Sequence, residues 1–284
     1  MPRKIVFAGD RSKDVENKTM FGSRFCKWTM AFLSFGISCG QEFEKDLERK
    51  DRGDSLAQAV DQFKKFDLDE IEKTVKAFLT SETVTERLKY VRDAKRVYPL
   101  MTKFYGGEKI EAEGFEELDR SEVTYLDQFL TTTVMTGDFV SSPIALEREE
   151  GKESSYRVDW ESWVGYCESS VEELKKEKPT EPVLVRALVS SDSYFNYFFG
   201  DDKTWSSYKL AFRNVDATFS AYAQKGSKID QRLSGMVKEG DEIPMILKIA
   251  YPPKAKGKTQ VEIMEIVEQG WILEVAEEKK KVAK

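Results

Sequence analysis

Apolar residues recur at helical spacing from position 68 onward, with Leu68, Ile71, Val75, Phe78 and Leu79 on one face. Asp67 and Glu70 stand three residues apart at the start of this run, the spacing of a helix-capping box. An earlier turn carrying Leu56, Val60 and Phe63 is predicted to precede it. Thr83 and Glu86 repeat the capping signal and open a second helix with Leu88, Val91, Ala94 and Tyr98 inward. Pro99 is expected to end or kink that helix, and Gly106 with Gly107 to close the turn after Leu100, Met101, Phe104 and Tyr105. Two antiparallel helices joined by a short loop are the predicted geometry.

Beyond an acidic loop at 113–122 the period changes to two. Residues 122–135 are rich in Thr and Val and read as a strand or a pair of strands. Residues 154–160 follow a charged turn at Glu147 to Glu153 and predict a hairpin. A third helix is expected from about Glu161 to Lys176, with Trp163, Tyr166 and Val171 inward. Pro179 and Pro182 break the chain before the apolar run 182–190, a central strand, which continues into the aromatic cluster Tyr194 to Phe199 and a turn at Gly200-Asp201-Asp202. Tyr208, Leu210 and Phe212 alternate with charged or small residues as a half-buried strand. Ser227 and Asp230 cap a short helix, and Ile243 to Tyr251 with Gln260 to Val267 form a last hairpin, Trp271 just after it.

Helices in front and strands behind predict an α+β fold: an N-terminal helix pair packed on a curved antiparallel sheet. This element order resembles the cone-shaped nuclear-transport-factor-two-like (NTF2-like) architecture, from which the helix near 229 departs. One domain over 56–276 is expected, followed by a disordered charged tail, 277–284.

The stretch from Met20 to Cys39 changes the picture of where such a domain resides. Arg24 and Lys27 precede an uncharged run from Trp28 to Ser38, and small residues lead into Cys39. A cationic head, a short apolar middle and small residues at the cut form the layout of an export signal, and the run is too short to span a bilayer. The segment resembles a bacterial lipoprotein signal, which implies cleavage before Cys39 and lipidation of its thiol. Gly36 and Ile37 depart from the lipoprotein pattern and leave ordinary signal cleavage open, as does a buried strand in a chain that is not exported. Positions 1–38 are read as the signal region with translation beginning at Met20, and the charged stretch 39–55 as a tether. The segments 96–101 and 158–163 and the final hairpin with Trp271 also resemble a family of exported proteins from Verrucomicrobia-type bacteria. That resemblance implies localisation at the periplasm or the outer membrane and carries no chemistry.

Composition narrows the chemistry. Positions 1–38 carry 7 basic and 3 acidic residues, so the chain from Cys39 keeps 38 and 48 of the whole chain's 45 and 51. An acidic protein lacks the Lys and Arg contacts on which nucleic-acid binding rests, so no nucleic-acid partner is expected. Of three cysteines, Cys26, Cys39 and Cys167, only Cys167 would remain as a thiol, which excludes a disulfide framework and reads as a buried structural group. Histidine is absent, which removes Ser-His-Asp and Cys-His catalysis and nearly all zinc sites. No Gly-rich phosphate loop, G-x-S-x-G elbow or CxxC pair occurs, and no cofactor or metal is expected.

Three local patterns remain. Asp159-Trp160-Glu161 reads first as a helix cap and second as the carboxylate pair of a glycosidase. Gly200-Asp201-Asp202 reads first as a turn and second as calcium ligands. Tyr194, Tyr197, Phe199, Trp205 and Tyr208 either fill the mouth of a curved sheet or line a ligand site. The sequence thus points to a non-catalytic envelope protein, anchored through Cys39, that binds a protein partner or a small ligand. A carboxylate-based hydrolase acting on glycans is the alternative.

Overall fold

Residues 68–79 bury their apolar face as the sequence spacing requires. In the computed structural model they form helix α1 (Leu68–Leu79), with Ile71, Val75, Phe78 and Leu79 fully buried. The structure describes residues 68–126, 128–149, 155–213 and 215–273, all within one compact unit, Glu44–Lys284. The signal region, Cys39, the tether, the turn at 56–63 and the tail lie outside the described residues.

The predicted second helix is two helices. Thr83 caps α2 (Val84–Leu88) by accepting from the Glu86 N–H, and the chain is then reset by Asp93 in the left-handed region before α3 (Ala94–Tyr105). Pro99 lies inside α3 and does not end it. Proline there removes a single N–H from the helix ladder, and the apolar face continues through Met101 to the glycine cap at Gly106.

These helices cover an antiparallel sheet ordered β1 (Glu117–Leu118), β3 (Phe129–Met135), β4 (Ser141–Arg148), β5 (Tyr156–Val158), with β2 (Thr124–Leu126) also paired to β3. Val75 and Phe78 from α1 and Met101 from α3 share one core with Leu130, Val134, Leu146 and Tyr156 from the strands. The α+β class and the helices packed on an antiparallel sheet therefore hold.

The strands are divided between this sheet and a second one, a division that element order alone does not reveal. The remaining strands, β6 (Val183–Asp192), β7 (Trp205–Ala211), β8 (Thr218–Gln224), β9 (Ile243–Ala250) and β10 (Gln260–Gln269), close a separate barrel in the order β10-β8-β7-β6-β9. Neighbours are antiparallel except β8 with β10, which are parallel. The meander β6-β7-β8 followed by a fourth strand that returns beside the first is a Greek key, and β10 seals it. Helix α6 (Lys228–Met236), capped by Ser227 as predicted, bridges β8 and β9. Alternation places Val185, Leu210, Ala221 and Met245 inside a core filled by side chains, joined by Leu233 of α6 and Leu174 of α5 (Val171–Glu177). This strand order gives no support to an NTF2-like arrangement.

The predicted third helix is likewise divided, into α4 (Trp160–Val164) and α5. Gly165 ends α4 at φ +63, and Ser170 opens α5 with a complete capping box. A Cβ at Gly165 would stand 2.8 Å from the Arg213 Cβ, so both backbone angle and space demand glycine. Gly165→Ala is therefore expected to cost about 1–3 kcal/mol, from the left-handed penalty and the overlap together. Urea unfolding measures it, and a variant as stable as the parent would refute the close approach.

A charged seam joins the two sheets. Arg186 lies between the inward Val185 and Ala187 of β6 and so points out of the barrel wall, toward α4. There it donates to the carbonyls of Tyr166 (2.8 Å) and Trp271 (3.0 Å) and pairs with Glu161 at 3.6 Å. Arg92 crosses the seam as well, pairing with Asp159 at 3.0 Å and donating to the Leu273 carbonyl. Arg213, its guanidinium pulled down to about 10 by burial and still cationic at neutral pH, lies over the rings of Trp163 and Trp271.

Candidate functional site

Six aromatics occur between Asp192 and Ser207, and no Leu, Ile, Val or Met does. The sequence reads Tyr194 to Phe199 as a continuation of β6. The structure instead ends β6 at Asp192 and folds this segment into a loop with a short 3-10 turn, Tyr197–Phe199. The Asp192 carboxylate accepts from the Ser193 N–H and the Asn196 side chain from the Tyr197 N–H, so each side chain captures a donor that strand pairing would have used.

The loop is laid over the outside of β7 and β8. Ala221 and Ala223 face the barrel core, so Tyr222 between them faces out, opposite Ser207 in register. Both Tyr222 Oη (3.0 Å) and Ser207 Oγ (2.9 Å) donate to the Tyr194 carbonyl. Phe199, fully buried, stacks on Tyr222 with centroids 4.1 Å apart and planes within 10°. Trp205 meets Phe199 edge-on at 4.9 Å. Behind the turn, Asp201 accepts from the Lys203 N–H and the Thr204 hydroxyl, which holds its carboxyl below the usual range.

This bracing leaves three rings outward: Tyr194 at 47%, Tyr197 at 58% and Phe198 at 57% exposure. Tyr197 also holds φ +53, a conformation that bulky residues rarely adopt and that local bonding must enforce. Of the five aromatics singled out from sequence, Tyr194 and Tyr197 are exposed, and Phe199 with half-buried Trp205 packs beneath the loop. Tyr208 takes no part. It points into the barrel core, where burial pushes its hydroxyl up to about 12. Phe198, which sequence reasoning does not separate from its neighbours, is the missing third ring. Its signal was only its membership in an aromatic run.

Tyr208 carries a pH prediction. Its unfolded pKa is about 10, so the folded state prefers the neutral phenol. The stability it contributes is complete below pH 10 and is lost as pH rises through 12. Tyr251, pushed up by burial too, adds to the same trend. Unfolding free energy should fall between pH 10 and 12, with a shallower slope in Tyr208→Phe; an unchanged slope would refute the assignment.

The second pattern, Asp159-Trp160-Glu161, is the N-terminus of α4. Asp159 caps it by accepting from the Ser162 N–H at 2.7 Å. Burial raises its carboxyl, and Arg92 opposes the shift. Glu161 is held by Arg96 and Arg186. The two carboxylates are 2% and 5% exposed, inside the seam, where no sugar ring reaches them. The Gly200-Asp201-Asp202 segment is the turn described above, and no cluster of three or more ligating side chains occurs among the described residues. Cys167 accepts from the Arg186 N–H, and burial pushes its thiol up, away from nucleophilic use. No helix among the described residues is long and apolar enough to cross a membrane. No protein-family model, curated protein or solved structure matches this chain.

Proposed function

We propose that this chain is a non-catalytic binding protein of the cell envelope, anchored through Cys39, whose contact element is the loop between β6 and β7. The observation that carries the reading is the pairing of a rigid base with an outward aromatic face. Phe199, Tyr222 and Ser207 hold the loop, while Tyr194, Tyr197 and Phe198 remain half exposed, Phe198 resting against Phe199 and Trp205. Packing alone gives no reason to keep three large rings outside both cores with the middle one in a strained backbone. Tyrosine beside Ser, Asn and Gly is also the composition of loops that bind through rigid amphipathic rings with adaptable polar neighbours. A glycan hydrolase has less support, because Asp159 and Glu161 are enclosed and each is bound by arginine.

Two measurements test the proposal. Intact-mass spectrometry of the protein extracted from its native cell should give a chain beginning at Cys39 with added diacylglycerol. A full-length unmodified chain in the soluble fraction would overturn the envelope assignment. A photo-crosslinking residue at position 198 should capture a ligand or partner that the same group at Met264, exposed on β10, does not. Equal labelling at both positions would overturn the loop as the contact element.

A further inference from the structure

We infer that this domain turns its β9–β10 loop to an anionic phospholipid bilayer, with Lys254, Lys256 and Lys258 among the headgroups and the β6–β7 loop facing away. The inference rests on the anchor at Cys39 and adds the surface on which the anchored domain settles.

The stretch from Ile243 to Val261 holds four lysines and no Asp or Glu, in a chain whose formal charge is −6. Lys248 belongs to the barrel wall, where it pairs with Glu265 beside Glu168. The other three, Lys254, Lys256 and Lys258, stand exposed at every second position of the connecting loop. That loop is fixed from both sides. Lys178, at the end of α5, donates through Nζ to the Ala255 carbonyl at 2.8 Å, and Tyr251 Oη donates to the Lys258 carbonyl at 2.6 Å. Lys178 thereby adds its charge to the loop, and exposed Lys176 stands two residues before it. The adjoining segments are joined to the loop by the Tyr251 N–H on the Pro179 carbonyl and the Ser220 N–H on the Thr259 carbonyl. Their acids are Glu177, Glu181 and Asp216, so five lysines outnumber three carboxylates at this end of the barrel.

The composition of the loop selects the partner. From Pro252 to Thr259 there is no Arg and no aromatic residue. Interfaces with proteins are rich in Tyr, Trp and Arg and poor in Lys, and single-stranded nucleic acids are held by stacked rings and Arg. Lysine is a hydrated point charge on a flexible stem, suited to a diffuse layer of anionic headgroups. Each lysine brought to such a surface favours that orientation about fivefold. This bias holds a free protein weakly, but in a tethered domain it decides which side faces the lipid. Cys39 precedes Leu68 by 29 residues, a length that spans at most about 100 Å, so an anchored domain keeps the bilayer within reach. Topology fixes the far side. Strands β6 and β9 pair antiparallel, Val183 with Ile249 and Val189 with Ile243. The loop after β9 therefore leaves one end of the barrel and the loop after β6 the other, with about 30 Å of strand between them. Lipid at Lys254 to Lys258 leaves Tyr194, Tyr197 and Phe198 open to a ligand.

The test takes the full chain extracted from its native cell into vesicles of phosphatidylcholine with or without phosphatidylglycerol, a photo-crosslinking residue standing at position 253 or at position 198. In the anionic vesicles lipid adducts at 253 should exceed those at 198 by about tenfold or more. The two should converge in neutral vesicles, and also at about 1 M salt, where the screening length is about 3 Å. Lys254→Glu/Lys256→Glu/Lys258→Glu alters three exposed side chains, so it should melt with the parent and lose the preference for 253. Equal labelling at 253 and 198 in anionic vesicles, or a preference that survives the charge reversal, would overturn the inference while the anchor stands. So would an adduct at 253 to protein or nucleic acid in place of lipid in whole cells. A chain that floats with neither kind of vesicle overturns the anchor itself, and this inference falls with it.

Discussion

Glu161→Ala is expected to lower the unfolding free energy by about 3–5 kcal/mol, because it leaves a buried cation without its counter-charge. Arg186 is fully buried on the barrel wall, and its charge is met by Glu161 at 3.6 Å and by two backbone carbonyls. The carbonyls remain in the variant; the neutralising carboxylate does not. Removing both charges should hurt far less, since apolar replacement of an entire buried pair is often neutral. Glu161→Met/Arg186→Met is therefore expected to recover part of the loss, the remainder being the partner that Arg96 also loses and the Tyr166 and Trp271 carbonyls left without their donor. Denaturant midpoints at constant slope measure both, with roughly 2–4 °C of melting temperature per kcal/mol as a cross-check. A loss below about 1 kcal/mol in the single variant would mean that water enters the seam and the pair acts as a surface one.

Trp160→Ala should cost a similar amount, about 3–5 kcal/mol, by a different route. The indole is fully buried at the start of α4, between Phe104 and Tyr166 with centroids 5.5 Å from each. Its Nε1 donates to Tyr105 Oη at 3.0 Å, and the same oxygen accepts from Arg87 Nη1 at 3.0 Å. Arg87 in turn pairs with Glu113 and lies over the Phe78 ring. Truncation thus opens a cavity and also removes one donor from a chain that ties α1, α2 and α3 to α4. Trp160→Phe separates the two effects. It keeps much of the volume, loses the N–H, and should cost about 1–2 kcal/mol. If Phe were as damaging as Ala, the hydrogen bond and not the packing would govern this site.

The two variants act at neighbouring residues that face different ways. Trp160 belongs to the core of the first sheet, whereas Glu161 turns to the barrel. Adjacent positions on a short helix point to different sides, so one five-residue element serves both layers. An acidic, apolar, acidic triplet in a sequence carries the hint of a catalytic pair, yet what decides its role is enclosure. Three arginines from α3, the segment before it and β6 converge on the two acids, and none of these is near 159–161 in the chain.

Local signals were legible where a few neighbouring residues complete the physics. The caps at Thr83 and Ser227, the buried stripe of α1 and the β9–β10 hairpin depend on side chains within one turn or on alternation along one strand. The helix breaks at Asp93 and Gly165 were not legible. The periodicity of apolar positions runs on through each break at a left-handed residue, and at Gly165 the close approach of the distant Arg213 leaves room only for glycine.

What the sequence by itself determined was the α+β class, the position of most elements, the absence of histidine chemistry and the presence of an aromatic segment near 194–199. Only the tertiary structure decided that five strands close on themselves, that Arg186 and Glu161 meet, and which of the aromatics face water. Alternation tells which side chains share a face of a strand, but not which face becomes the inside of a barrel. Tyr208 and Tyr222 read alike along the chain, and closure sends the first into the core and the second outward beneath Phe199.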